Sequence, residues 1–174
     1  INLVTDSLPA LALAFDPANR DIMNRKPIKK DEGIFTKGRT FRIIYQGVMI
    51  GLLTLAGFII GLATTHEPID GLTLEQSKVE VGQTMAFMVL AFSELVHVFS
   101  IRDNKNSVFK TGILGNRTLI LAVLASAFLM GIILVVPALR SVFSIPVLPI
   151  GNLLEVLGLI IAPLAIVEIM KLAK

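Results

Sequence analysis

The stretch IIYQGVMIGLLTLAGFIIGLATT, residues 43–65, runs without a single charged side chain. An α-helix rises about 1.5 Å per residue, so roughly 20 apolar residues cross the hydrocarbon core of a bilayer. Residues 118–139 are also free of charge, and residues 81–101 carry only Glu94. Charged residues make up 17% of the chain and hydrophobic ones 54%, with a mean hydropathy of +0.78. A soluble domain carries about 25% charged residues, so this composition predicts an integral membrane protein. Residues 1–15 are apolar too and read as the remainder of a longer spanning helix. Residues 153–170 form the last span, with Pro163 inside it as an expected kink, since proline has no amide to donate. The predicted fold is an all-α polytopic transmembrane helix bundle: one truncated span (1–15) and four complete ones (43–63, 81–101, 118–139 and 153–170). Ile1 stands within an apolar run with no leader before it, so the parent chain is expected to extend upstream.

Between the spans, the charges sort by side. Of the 16 Lys and Arg residues, eight lie in the polar loop 16–42 (Arg20, Arg25, Lys26, Lys29, Lys30, Lys37, Arg39, Arg42). Arg102, Lys105, Lys110 and Arg117 lie in or at the edge of the loop 102–117, and Lys171 and Lys174 close the chain. Only Lys78 and Arg140 fall on the other side, which holds the acids Glu67, Asp70, Glu75 and Glu80. Loops rich in Lys and Arg stay in the cytoplasm. Loops 16–42 and 102–117 and the C-terminus are therefore expected to be cytoplasmic, in the plasma membrane. Basic residues distributed in this way explain the isoelectric point of 9.4 without a nucleic-acid partner. The absence of cysteine excludes thiol chemistry and disulfides. No nucleotide-binding loop, zinc-protease helix or nucleophile elbow is found, and Asp103-Asn104-Lys105-Asn106 lacks the Gly and Glu of a calcium-binding loop. Tyr45 reads as either an interfacial anchor or an ordinary helix aromatic. Gly47, Gly51, Gly57 and Gly61, in pairs four apart, are candidates for close helix packing.

Asp6 and Glu94 carry the chemistry. Each lies in an apolar run, where a carboxylate costs about 3 kcal/mol or more at mid-membrane and needs a cation, a proton or a basic partner. No Lys or Arg lies in the middle of a span. Asn2, Thr5 and Asp6 stand at i, i+3 and i+4, which places three oxygen-bearing side chains on one helix face. Pro9 lacks the amide that would bond the Thr5 carbonyl, which frees a fourth oxygen. Such an all-oxygen set suits a hard cation such as Ca2+, whose 6–8 ligands would also draw on other helices or water. His97, one turn beyond Glu94, fits a packing role better than a proton relay. His66 reads as solvated, and Glu155 and Glu168, near the ends of the last span, as exposed to headgroups or water.

The segment Asn2-Leu3-Val4-Thr5-Asp6-Ser7-Leu8-Pro9-Ala10 resembles the sixth transmembrane helix of P-type calcium pumps, whose pattern is N-L-V-T-D-G-L-P-A. Ala12 to Pro17 and Asp21 to Pro27 are similar to that family's helix exit and cytoplasmic loop. Thr84 to Glu94 resembles its eighth helix, and Pro163-Leu164 with Glu168-Ile169 and Lys171 resembles the end of its tenth. The sodium-pump branch has T-D-M-V-P-A at the first motif, which fits less well, and Ser7 departs from the usual glycine. The resemblance implies metal ligands at Asn2, Thr5, Asp6 and Glu94, with Ca2+ as the transported ion. It implies that the parent hydrolyses ATP with Mg2+ through an aspartyl phosphate, although the D-K-T-G-T sequence, the nucleotide-binding domain and the actuator are not in these residues. The partners it implies are the bilayer, the upstream helices and the cytoplasmic phosphorylation domain. An ion- or proton-coupled secondary transporter and a non-transporting scaffold are the competing readings.

Overall fold

The computed structural model describes residues 7–17, 23, 33, 35–69, 71–103 and 106–172. Seven α-helices follow in order among the described residues: α1 (Ser7–Leu13), α2 (Lys37–Thr64), α3 (Leu74–Ile101), α4 (Val108–Thr111), α5 (Arg117–Val135), α6 (Pro137–Val142) and α7 (Ile150–Leu172). A short 3-10 turn, Ile113–Gly115, lies between α4 and α5. Four of the helices, α2, α3, α5 and α7, are long and apolar enough to cross a membrane.

Polar residues set the helix boundaries beyond the apolar runs. Thr73 starts α3 through a reciprocal cap: its hydroxyl accepts from the Gln76 amide at 3.3 Å, and the Gln76 side chain accepts from the Thr73 amide at 2.9 Å. α3 therefore begins seven residues before the run 81–101, with Glu75 in its first turn. At the other extreme, α5 stops at Val135, short of the charge-free run, because Pro137 follows. Val136 is extended (φ −76°, ψ 118°), as a residue before proline prefers, and Pro137 opens α6 at its first position. Pro163, by contrast, is buried inside an uninterrupted α7.

α2, α3 and α7 share the main core, built on Val81, Met85, Val89, Leu148, Val156 and Ile160. α2 and α3 touch through backbone. A Cβ on Gly61 would lie 2.6 Å from the Gly82 Cα, and one on Gly82 would lie 2.9 Å from the Phe58 carbonyl oxygen. Gly57 also abuts α3, at Val89, whereas nothing lies within 4 Å of Gly47 or Gly51 among the described residues. One of the two glycine pairs thus serves α2–α3 packing. Tyr45 stacks on Phe41 with ring centroids 6.5 Å apart. The outward face of α2 presents Ile44, Val48, Leu52, Leu55 and Ile59, a stripe at helical spacing. A stripe of that size facing water would be a sticky patch, but it is the surface a bilayer solvates.

Polar contacts gather at each end of the bundle. Lys171 Nζ donates to the Ser100 carbonyl at 2.7 Å, and Arg102 Nη1 to the Gly112 carbonyl at 3.2 Å. The C-terminal end of α7 and the α3–α5 connection therefore lie together. At the opposite end Asn152 of α7 donates to the Thr64 hydroxyl at 2.6 Å.

Candidate cation site

α3 supplies the one expected ligand that falls among the described residues. Glu94 is half-buried, between the fully buried Ser93 and the buried Leu95. Four residues on, and so on the same face, Val98 packs in a second core with Ala12 of α1 and Leu119 of α5. α1 packs on α5, and Ala12 joins Val98 and Leu119 in that core. Pro9 and Ala12 are the buried residues of α1. The remaining expected ligands, Asn2, Thr5 and Asp6, lie outside the described residues. No group of three or more His, Asp or Glu side chains comes together among the described residues. A cation held at Glu94 would thus draw its other oxygens from elsewhere.

Two polar clusters at the basic end of the bundle escaped the sequence reading. In the first, the Asp16 carboxylate just beyond α1 accepts from Arg102 Nη2 at 2.8 Å, Arg102 Nε at 3.1 Å and Asn116 Nδ2 at 3.0 Å. Asn116 also donates to the Ala12 carbonyl at 3.1 Å and caps α5 by accepting from the Leu119 amide at 2.9 Å. The signal was present in the sequence: an Asn at the head of a long apolar run is an N-cap candidate, and Asp16-Pro17 marks a helix exit.

In the second cluster, Glu168, expected to be exposed, is 4% exposed. It accepts from Lys171 Nζ at 2.8 Å, the Val108 amide at 2.9 Å and the Ser100 hydroxyl at 3.3 Å. Its position near the end of a span suggested solvent, but the α3–α4 connection folds over it. Glu155 is exposed, as expected. His97 is buried at 6% exposure, and neither ring nitrogen has a hydrogen-bond partner among the described residues. Asp103, from the calcium-loop look-alike, is used in a turn, accepting from the Asn106 side chain at 2.7 Å and the Asn106 amide at 3.2 Å.

The described bundle is apolar, with a half-buried glutamate in α3 and a buried proline in α1. The model of the family described as cation transporting ATPase, C-terminus, matches residues 1–173. The chain belongs to this cation-transporting ATPase family. Among its relatives, the calcium-transporting ATPase 1 of Bacillus cereus is 39% identical over 179 residues, covering 100% of this chain and 20% of that protein. The calcium-transporting ATPase of Bacillus subtilis is 35% identical over 94% of the chain, which spans 17% of that relative. The human calcium-transporting ATPase type 2C member 1 is 31% identical over 98% of the chain, again 17% of its own length. The chain thus spans about a fifth of these cation-transporting ATPases, and its four membrane-crossing helices make it an integral membrane part of such a protein.

Proposed function

We propose that this region is the membrane-embedded part of an ATP-driven pump that exports Ca2+ from the cytoplasm, and that Asn2, Thr5, Asp6 and Glu94 are ligands of the transported ion. The carrying observation is a half-buried carboxylate, Glu94, in the middle of a membrane-crossing helix of a chain related to calcium-transporting ATPases. The spacing of Asn2, Thr5, Pro9 and Ala12 continues one stripe, and Pro9 and Ala12 are its buried members in α1. Two carboxylates, a hydroxyl, an amide and the carbonyl freed by Pro9 make a hard-oxygen set of the kind Ca2+ accepts. ATP, its Mg2+ and the phosphorylated aspartate belong to the rest of the pump. The cytoplasmic phosphorylation domain would lie over loop 16–42. The plasma membrane is the proposed location, with loops 16–42 and 102–117 and the C-terminus on the cytoplasmic side, as their 14 of 16 Lys and Arg residues favour.

Asp6→Asn in the full-length protein is expected to abolish Ca2+-dependent phosphorylation from ATP, because it removes the ligand charge and keeps the side-chain size. Unaltered Ca2+ dependence in that variant would remove Asp6 from the ion site. Cation flux without ATP turnover would instead favour an ion-coupled carrier.

A further inference from the structure

A cavity of about 210 Å3 opens between the first turns of α2, the end of α3 and the end of α7. It is smaller than the about 300–1,000 Å3 of small-molecule pockets, so it has room for a ligand of headgroup size and not for a larger one. α2 lends it one helix face, with Gly38, Arg42, Tyr45 and Gln46 at i, i+4, i+7 and i+8. Lys171 comes from the last turn of α7, and Ser100 from the last turn of α3. Among the described residues the lining carries two cations, Arg42 and Lys171, and no Asp or Glu.

The polar groups around this cavity lack protein partners. Arg42, Tyr45 and Gln46 are half-buried. Among the described residues, no hydrogen bond or ion pair reaches the Arg42 guanidinium, the Tyr45 hydroxyl or the Gln46 amide. Lys171 gives two of its three N–H groups to the Ser100 carbonyl and to Glu168, and the third is left over. Thr36 makes no side-chain cap on α2 and the first turn of that helix holds no acid, so its first amides keep their partial positive charge. Half-buried polar groups at the edge of a hydrocarbon layer need partners, and each of these can donate to an anion.

Depth decides what that anion is attached to. Arg42 is the last charged residue before the charge-free run 43–65. Tyr45, stacked on Phe41, carries the amphipathic ring that settles at headgroup level. Beyond Arg42, α2 exposes Ile44 and Val48, and before Lys171, α7 exposes Ile166 and Ile169. A soluble phosphate would leave that apolar surface without a partner, whereas a phospholipid meets both the donors and the apolar side chains. We propose that the cavity binds the phosphate headgroup of an anionic phospholipid from the leaflet at this end of the bundle, with Arg42 as its principal contact. A zwitterionic headgroup fits less well, because its ammonium would meet two cations and no carboxylate in the lining. None of the proposed ion ligands lines the cavity, so the two readings stand or fall separately.

The test uses the full-length protein, purified in a neutral detergent and titrated with phosphatidylglycerol or phosphatidylcholine, with lipid binding read by native mass spectrometry. Wild type is expected to take up phosphatidylglycerol more tightly than phosphatidylcholine. Arg42→Gln is expected to weaken phosphatidylglycerol binding about fivefold, and Lys110→Gln, at an exposed basic position outside the cavity, to leave it unchanged. Equal binding by wild type and Arg42→Gln would overturn the proposal and assign the cavity to water or to another part of the protein. Equal loss in both variants would overturn it too, by reducing the effect to general surface charge. Displacement of the lipid by an equal concentration of glycerol 3-phosphate, which has the charge without acyl chains, would replace the lipid by a soluble phosphate. A second readout does not depend on how Arg42→Gln folds. Nothing lies within 4 Å of a Cβ at Gly38 among the described residues, so Gly38→Cys is accommodated. In nanodiscs, and in a background freed of other cysteines, phosphatidylglycerol is expected to slow the reaction of that thiol with an uncharged maleimide several-fold relative to phosphatidylcholine, without slowing Lys110→Cys. Equal rates at position 38 in the two lipids would overturn the proposal.

Discussion

Glu168 illustrates what burial does to a single residue. Its side chain is 5% exposed and that of its partner Lys171 is 9%, and donors from α3, the α4 N-terminus and α7 converge on it. Breaking such a pair by removing one partner costs about 3–5 kcal/mol, because the other charge stays buried and the Val108 amide loses its acceptor. Glu168→Ala in the full-length protein is expected to lower the thermal midpoint in detergent by an amount that reflects that cost. Exposed Glu155→Ala is expected to leave it nearly unchanged, since surface substitutions typically fall within about ±0.5 kcal/mol. Equal midpoints for the two variants would show that the clasp contributes nothing.

For helix pairs, the controlling feature is the absence of side chains. α2 and α3 approach until the Gly61 and Gly82 backbones touch, and the added Cβ of an alanine at 61 would meet backbone rather than a flexible side-chain tip. Overpacking of that kind costs about 1–3 kcal/mol. Gly61→Ala is therefore expected to destabilise the bundle, measured as faster thermal inactivation of the full-length pump. Gly131→Ala on α5 is the control, because nothing lies within 4 Å of that position among the described residues. Comparable inactivation rates for the two would argue against close α2–α3 contact. The break between α5 and α6 belongs to the same scale: Pro137 withholds an amide and holds Val136 extended, so the apolar run continues where the helix does not.

Across the whole molecule, helix direction alternates so that the α3–α5 connection, the exit of α1 and the end of α7 gather at one end. Among the described residues that end carries Arg102, Lys110, Arg117 and Lys171, and its orientation in a living membrane is open to direct measurement. The chain has no cysteine, which suits single-cysteine labelling. In a full-length background freed of other cysteines, Lys110→Cys and Glu67→Cys, both at exposed positions, are expected to react with a membrane-impermeant maleimide from opposite sides. Lys110→Cys should label from the cytoplasmic side only. Labelling of both from one side would break the alternating topology.

Read alone, the amino-acid sequence was enough to identify an all-α, integral membrane chain with several membrane-crossing helices, and to single out the carboxylates that lie in apolar runs. Those properties follow from local rules: about 20 apolar residues span a bilayer, basic loops share a side, and a charge in an apolar run demands a partner. That Gly57 and Gly61, and among the described residues not Gly47 and Gly51, meet α3 emerged from the packing of the helices. The packing alone showed that Glu168 is enclosed and that Asp16, Arg102 and Asn116 meet across 86 and 100 positions of chain. The physical reason is that the partner of a polar side chain at a helix end is chosen by how neighbouring helices pack, and hydropathy, which treats each segment alone, contains no record of that choice.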